Sequence, residues 1–168
     1  MHFAGWLIIS LGVVLQTTVV PLMQIGNARP DLLLLVIVST SLVFGRVAGI
    51  SIGFFSGVLW DLLTAQIFGM YTLAKLITGY VMGGFEKKVF KDNLILPVVA
   101  VFIATFIHEC VLYISAFILE IKAPFWLMLG QNMLPNALYN CLLAPFVYFG
   151  IYHLRNSIWS EERRSTQI

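Results

Sequence analysis

Few residues in this chain are equipped for chemistry, and they stand in apolar surroundings. Asp61 closes a run in which Gly45, Gly49, Gly53 and Gly57 recur every fourth residue, and Lys75 lies in the next apolar run, beyond a short break at residues 64–69. Later runs carry His108 beside Glu109, then Asn132, Asn136 and Asn140 at four-residue spacing. An acid and a base on neighbouring helices at similar depth suit a buried ion pair, either as a latch or as one wall of a binding chamber, because ionisable groups in lipid face inward and pair. Asp61 with Lys75 is the expected pair. Glu109 then needs Lys75 as well, a protonated neutral state, or the Asn ladder as its partner. His108 points away from Glu109 by about 100° on a helix, so the two form no obvious dyad, and His108 reads as packed or lipid-edge. Asp31, following Pro30, reads as a helix cap. No nucleophile with its base, HExxH, CxxC or phosphate loop occurs, so neither catalysis nor a metal or cofactor is expected. Cys110 and Cys141 lie in apolar runs and read as reduced packing residues.

The elements that must position these groups are membrane helices. Of 168 residues 60% are hydrophobic and 11% charged, with a mean hydropathy of +0.92, whereas soluble domains run at about 25% charged. A span takes about 20 apolar residues, which allows at most six spans and no soluble domain. The reading is an all-α integral membrane protein, a six-transmembrane-helix bundle forming one domain over residues 1–168. Its spans are placed at about 3–25, 31–44, 47–64, 67–85, 94–120 and 127–154, with a polar tail at 155–168. The first run lacks the basic start of a cleaved signal peptide and reads as a retained span. Span 2 covers only about 21 Å against a hydrocarbon core of about 30 Å, so it needs thinned membrane or help from flanking residues. The net charge of +2 is too small and dispersed for nucleic-acid binding. Arg46, Lys87, Lys88, Lys91, Arg155, Arg163 and Arg164 fall on one side of such a bundle, and Arg29 and Lys122 on the other. Seven against two places both termini in the cytoplasm.

With that topology, Asp31, Asp61, Lys75, Glu109, Asn136 and Asn140 converge on the outer half of the bundle as a polar pocket. The glycines do separate work. Gly49, Gly53 and Gly57 make a smooth groove of the kind that lets helices approach closely in lipid, for helix packing or for a partner. The basic segment at residues 84–93 reads as an amphipathic interfacial loop, and Trp159 as an interfacial anchor.

PDLLLL at 30–35, GxxxGxxxGxxxDLL at 49–63, GMYTLAKLITGY at 69–80, a basic loop ending in Asn93, Glu109, and PNALYNCLLAPFVY at 135–148 together resemble the rod shape-determining protein MreD family. The resemblance covers nearly the whole chain and touches Pro30, Asp31, Gly53, Gly57, Asp61, Gly69, Tyr71, Tyr80, Pro135, Asn136, Tyr139 and Asn140. It implies a non-enzymatic subunit of the bacterial elongasome, in the cytoplasmic membrane, working beside MreC, MreB, the glycosyltransferase RodA and penicillin-binding protein 2 in side-wall peptidoglycan synthesis. It also implies a fold similar to the six-helix substrate-binding (S) component of energy-coupling-factor (ECF) transporters. The alternative reading is an S-component-like transport subunit that binds a small molecule in the outward-facing polar pocket.

Overall fold

The computed structural model describes residues 2–24, 28–64, 67–85, 95–121 and 124–165, with side chains from residue 9 to residue 155. Every regular element among them is helical, with no strand. Helix α1, His2–Thr18, gives way to a 3₁₀ turn, Val20–Met23, at Pro21, where the missing backbone N–H ends the α-helical ladder. The regular part of the first run therefore stops short of the expected residue 25.

Helix α2, Leu32–Phe44, is apolar all round, and Leu33, Leu34, Leu35, Ile37, Val38, Leu42 and Val43 are all buried. A helix without a polar face belongs in the middle of its bundle. Neighbouring helices rather than lipid cover most of its length. Its three buried hydroxyl residues include Thr40 and Ser41, which donate to the carbonyls of Val36 and Ile37. Gly45 ends it at φ 89°, a backbone conformation that favours glycine.

Helices α3, Arg46–Thr64, and α4, Met70–Gly83, form a hairpin that packs more intimately than any other pair. Helix α5, Ile95–Ile118, follows. A short helix α6, Phe125–Met128, then passes through a π-helical turn, Leu129–Met133, into α7, Leu134–Ser165. The expected polar tail is thus a continuation of α7 as far as residue 165. The basic loop at 86–93 and the side chain of Trp159 lie outside the described residues.

Leu34, Leu35, Val38, Leu42, Met82, Val101, Ala104, Ala144, Tyr148 and Ile151 build the main core. The outside is apolar as well, with Leu11, Phe117, Trp126, Leu138, Leu142 and Phe146 all exposed. Several of the polar side chains, Lys75, Asp61, Thr105 and Asn140 among them, are instead buried. That inversion is a membrane protein's answer to a solvent as apolar as its own core. Arg46–Thr64, Ile95–Ile118 and Phe125–Arg155 are long and apolar enough to cross a bilayer, and Ile9–Thr18 and Leu32–Phe44 are shorter apolar helices. At the end of the bundle away from Asp31, Arg155 donates to the Val43 carbonyl at 3.2 Å, answering one of the open acceptors in the last turn of α2. Arg46 lies 4.6 Å from the centre of the Tyr80 ring.

Candidate functional site

The expected pairing of Asp61 with Lys75 is not made. Asp61 lies in the last turn of α3 and spends its carboxylate on the start of α4. Oδ2 accepts from the Gly69 and Thr72 N–H groups at 3.0 Å each and from the Thr72 hydroxyl, and Oδ1 accepts from the Tyr71 N–H at 3.1 Å. The first N–H groups of a helix have no partner within it and carry its positive end, and in lipid no water can serve them. A carboxylate from the preceding helix serves three of them at once. Gly69, at φ 99°, lets the chain turn sharply enough to present them. The physical reason for the correction is therefore local: Asp61 meets the N-terminus of α4 before it can reach a side chain a turn further on.

Asp61→Asn keeps one oxygen but loses the charge and half the acceptors. We expect it to lower stability by about 1–2 kcal/mol, read as a fall in the thermal midpoint in detergent. An unchanged midpoint would exclude this capping role.

Lys75 pairs instead with Asp31. Its Nζ, fully buried, lies 2.7 Å from Asp31 Oδ2, and His108 Nε2 approaches the same oxygen at 3.8 Å. Asp31 Oδ1 accepts from the Leu34 N–H at 2.9 Å, so one carboxylate both caps α2 and neutralises Lys75. This single side chain joins the N-terminus of α2, the ammonium of α4 and the buried histidine of α5.

The backbone around Asp31 is held on two sides. Gln16 of α1 donates to the Pro30 carbonyl at 3.3 Å and accepts from the Leu32 N–H at 2.7 Å. Asn140 accepts from the Asp31 N–H at 2.9 Å and donates to Thr105 at 3.1 Å. Asn136 accepts from the Arg29 N–H at 2.9 Å and donates to Glu109 Oε1 at 3.2 Å. Tyr139 donates to the Met23 carbonyl at 2.8 Å. Asn136 and Asn140 are therefore crutches for the turn at residues 29–32, while Asn132 is exposed in the π-helical turn. Glu109 meets the Asn ladder, through Asn136, while Lys75 goes to Asp31. Beside these groups the rings of Trp60, Tyr71 and His108 run from α3 through α4 to α5 at 6.5 and 6.3 Å.

The glycine seam is filled. A Cβ on Gly49 would lie 2.8 Å from the Gly79 carbonyl, one on Gly53 2.6 Å from the Lys75 carbonyl, and one on Gly57 2.5 Å from Thr72 Cα. The groove is occupied by α4, so a partner surface along it is excluded in this conformation. Thr72 and Thr105 were not singled out by sequence reasoning. Thr105 had a signal, one helical turn before Glu109 on the same face; Thr72 had only its place in the first turn of α4.

This arrangement defines a helical membrane protein whose polar and ionisable groups are mostly engaged with one another and with its own helix ends. Among the described residues no group of His, Cys, Asp and Glu could hold a metal ion. The chain belongs to the rod shape-determining protein MreD family, which matches residues 1–158. Membership implies a role in rod shape determination. No curated protein and no solved structure matches the chain, so the expected likeness to an ECF S component has no structural match behind it.

Proposed function

We propose that the chain is a non-enzymatic, six-pass subunit of the bacterial elongasome, in the cytoplasmic membrane with both termini inside, scaffolding MreC and the RodA/penicillin-binding protein 2 synthase alongside MreB. The observation that carries this reading is the family match over residues 1–158. The rigid build supports it: a clamped hairpin and a cross-braced turn suit a part that holds others in place. The distribution of basic residues supports the orientation.

With α4 in the glycine groove, we assign the partner surface to the outward apolar face of α7, where Leu138, Leu142 and Phe146 are exposed. A photo-crosslinking residue at Leu142 or Phe146 in growing cells is expected to capture MreC or RodA. Depletion of the chain should turn rods into spheres. Rounding without capture from any position on α5 or α7 would sink the scaffold reading.

The alternative, a solute-binding transport component, needs polar groups free to meet a ligand. Asp31 with Lys75 and Asn140 with Thr105 are engaged with one another, which favours the scaffold.

A further inference from the structure

The two flanks of the bundle differ in height, and the hydrogen bonds fix the levels. At one end, Arg155 of α7 meets the last turn of α2 at Val43. At the other, Gln16 of α1, Lys75 of α4, His108 of α5 and Asn140 of α7 all reach the turn at residues 29–32, and Asn136 ties that turn to Glu109. Helix α2 bridges the two levels in about 20 Å, and α1 ends at Thr18, just past its contact at Gln16. Helix α5 does not stop there. It runs about 14 Å beyond Glu109 to Ile118, and α6 and the π-helical turn bring the chain back before Asn136 is reached. The α5–α7 flank is therefore about 36 Å tall, against about 20 Å beside α1 and α2.

The two flanks also make opposite demands on their surroundings. Beyond Glu109 the taller one exposes Ile114, Phe117 and Ile118 on α5 and Trp126 on α6. An apolar tip of that size stays out of water. At the level of the turn, Arg29 is exposed and residues 29–31 lie outside any helix. A guanidinium and open backbone stay out of hydrocarbon. A flat bilayer with a core about 30 Å thick cannot meet both demands. Set to cover the tip, it buries the turn by roughly 10 Å or more; set at the turn, it leaves the tip bare.

We propose that the chain holds the bilayer in a step. On the flank of α5 to α7 the membrane surface stands at the tip near Ile118, and on the flank of α1 it is drawn inward to the turn at residues 29–32, where the core is about 20 Å thick. The partner of this surface is the lipid itself, which takes up a mismatch by thinning locally. The step also sorts helical neighbours by length: about 13 apolar residues match the first flank and about 20 or more the second. The inference rests on levels and exposure, and neither the partners nor the orientation enters it, so it stands or falls independently of the scaffold reading.

The test is the depth of spin labels on the full chain in phosphatidylcholine vesicles, read by power saturation with oxygen, which concentrates in lipid, and with a nickel chelate, which stays in water. With Cys110 and Cys141 replaced by Ala, labels are placed through Thr18→Cys on α1 and Ile114→Cys on α5, both at exposed positions. Ile114 stands further out along the bundle than Thr18, so in a flat bilayer its label is the more aqueous of the two. The step inverts that order: the Thr18 label is expected to be several-fold more accessible to the chelate, and the Ile114 label to oxygen. The flat-bilayer order overturns the proposal. So do labels that are equally accessible to the chelate, since the tip would then stand in water. Should either variant fail to fold, Arg29→Cys reports the level of the turn and Phe117→Cys that of the tip, with the same inversion required.

Discussion

Lys75→Met is expected to destabilise the chain by about 3–5 kcal/mol, because it leaves the Asp31 carboxylate without the ammonium 2.7 Å away in a site that water reaches poorly. That is a large share of the roughly 5–15 kcal/mol that keeps a domain folded, so little folded protein should be recovered from membranes. The partner experiment decides whether charge is the cause. Asp31→Asn combined with Lys75→Met removes both charges, and the Asn can still accept from the Leu34 N–H as a cap. Replacing both members of a buried pair is often close to neutral, so the double variant should recover most of the lost thermal midpoint. Equal loss in the single and double variants would show that Lys75 acts through its packing alone.

Gly53→Leu is expected to split the hairpin. The first added carbon already falls 2.6 Å from the Lys75 carbonyl, which is backbone and cannot swing aside, and the rest of the side chain has no room along the seam. Overpacking of this kind reaches about 3 kcal/mol or more, and here it also pushes Lys75 away from Asp31. Gly130→Ala is the control, since nothing lies within 4 Å of the added carbon. We expect an unchanged thermal midpoint for Gly130→Ala and loss of the monodisperse protein for Gly53→Leu, read by size-exclusion chromatography and unfolding. Gly53→Leu that behaves as wild type would mean that the two helices do not pack as described. Loss of MreC capture by Gly53→Leu would report a lost fold, not a lost partner surface.

Which parts of this were legible in the sequence follows from what each signal measures. Four-residue spacing of Gly49, Gly53 and Gly57 speaks about one face of one helix, and it identified a close-packing seam without saying what fills it. Hydropathy marked the apolar run at 31–44 but gave no sign that α2 is the central helix, because a helix buried in protein and one buried in lipid have the same composition. Asp31, Asp61, Lys75, Glu109, Asn136 and Asn140 were found as residues out of place in apolar sequence, and the structure brings most of them to one end of the bundle. Their pairing was not legible. Depth along the chain treated Asp61 and Asp31 alike, whereas the direction of the α3–α4 turn gives Asp61 to the backbone and leaves Asp31 to Lys75. The role of Gln16 and the two Asn residues was hidden for a related reason: they answer backbone groups of the turn at residues 29–32, and backbone groups are the same in every sequence.

The turn at residues 29–32 also orders the events of biosynthesis. The α3–α4 hairpin closes over a short stretch of chain, but Lys75 finds Asp31 only across 44 residues and Asn140 finds the Asp31 N–H only across 109. Contacts that far apart form late. A lone Lys75 entering lipid costs about 2.5–3.5 kcal/mol, so α4 is best released from the insertion machinery already in company with α2. Helices α2 to α4 would then leave as one block, with the turn still unbraced on the side of α7. Helix α7, made after them, is the one that closes it, so a chain truncated before Asn136 would be inserted and yet unfinished, a distinction on which quality-control proteolysis acts.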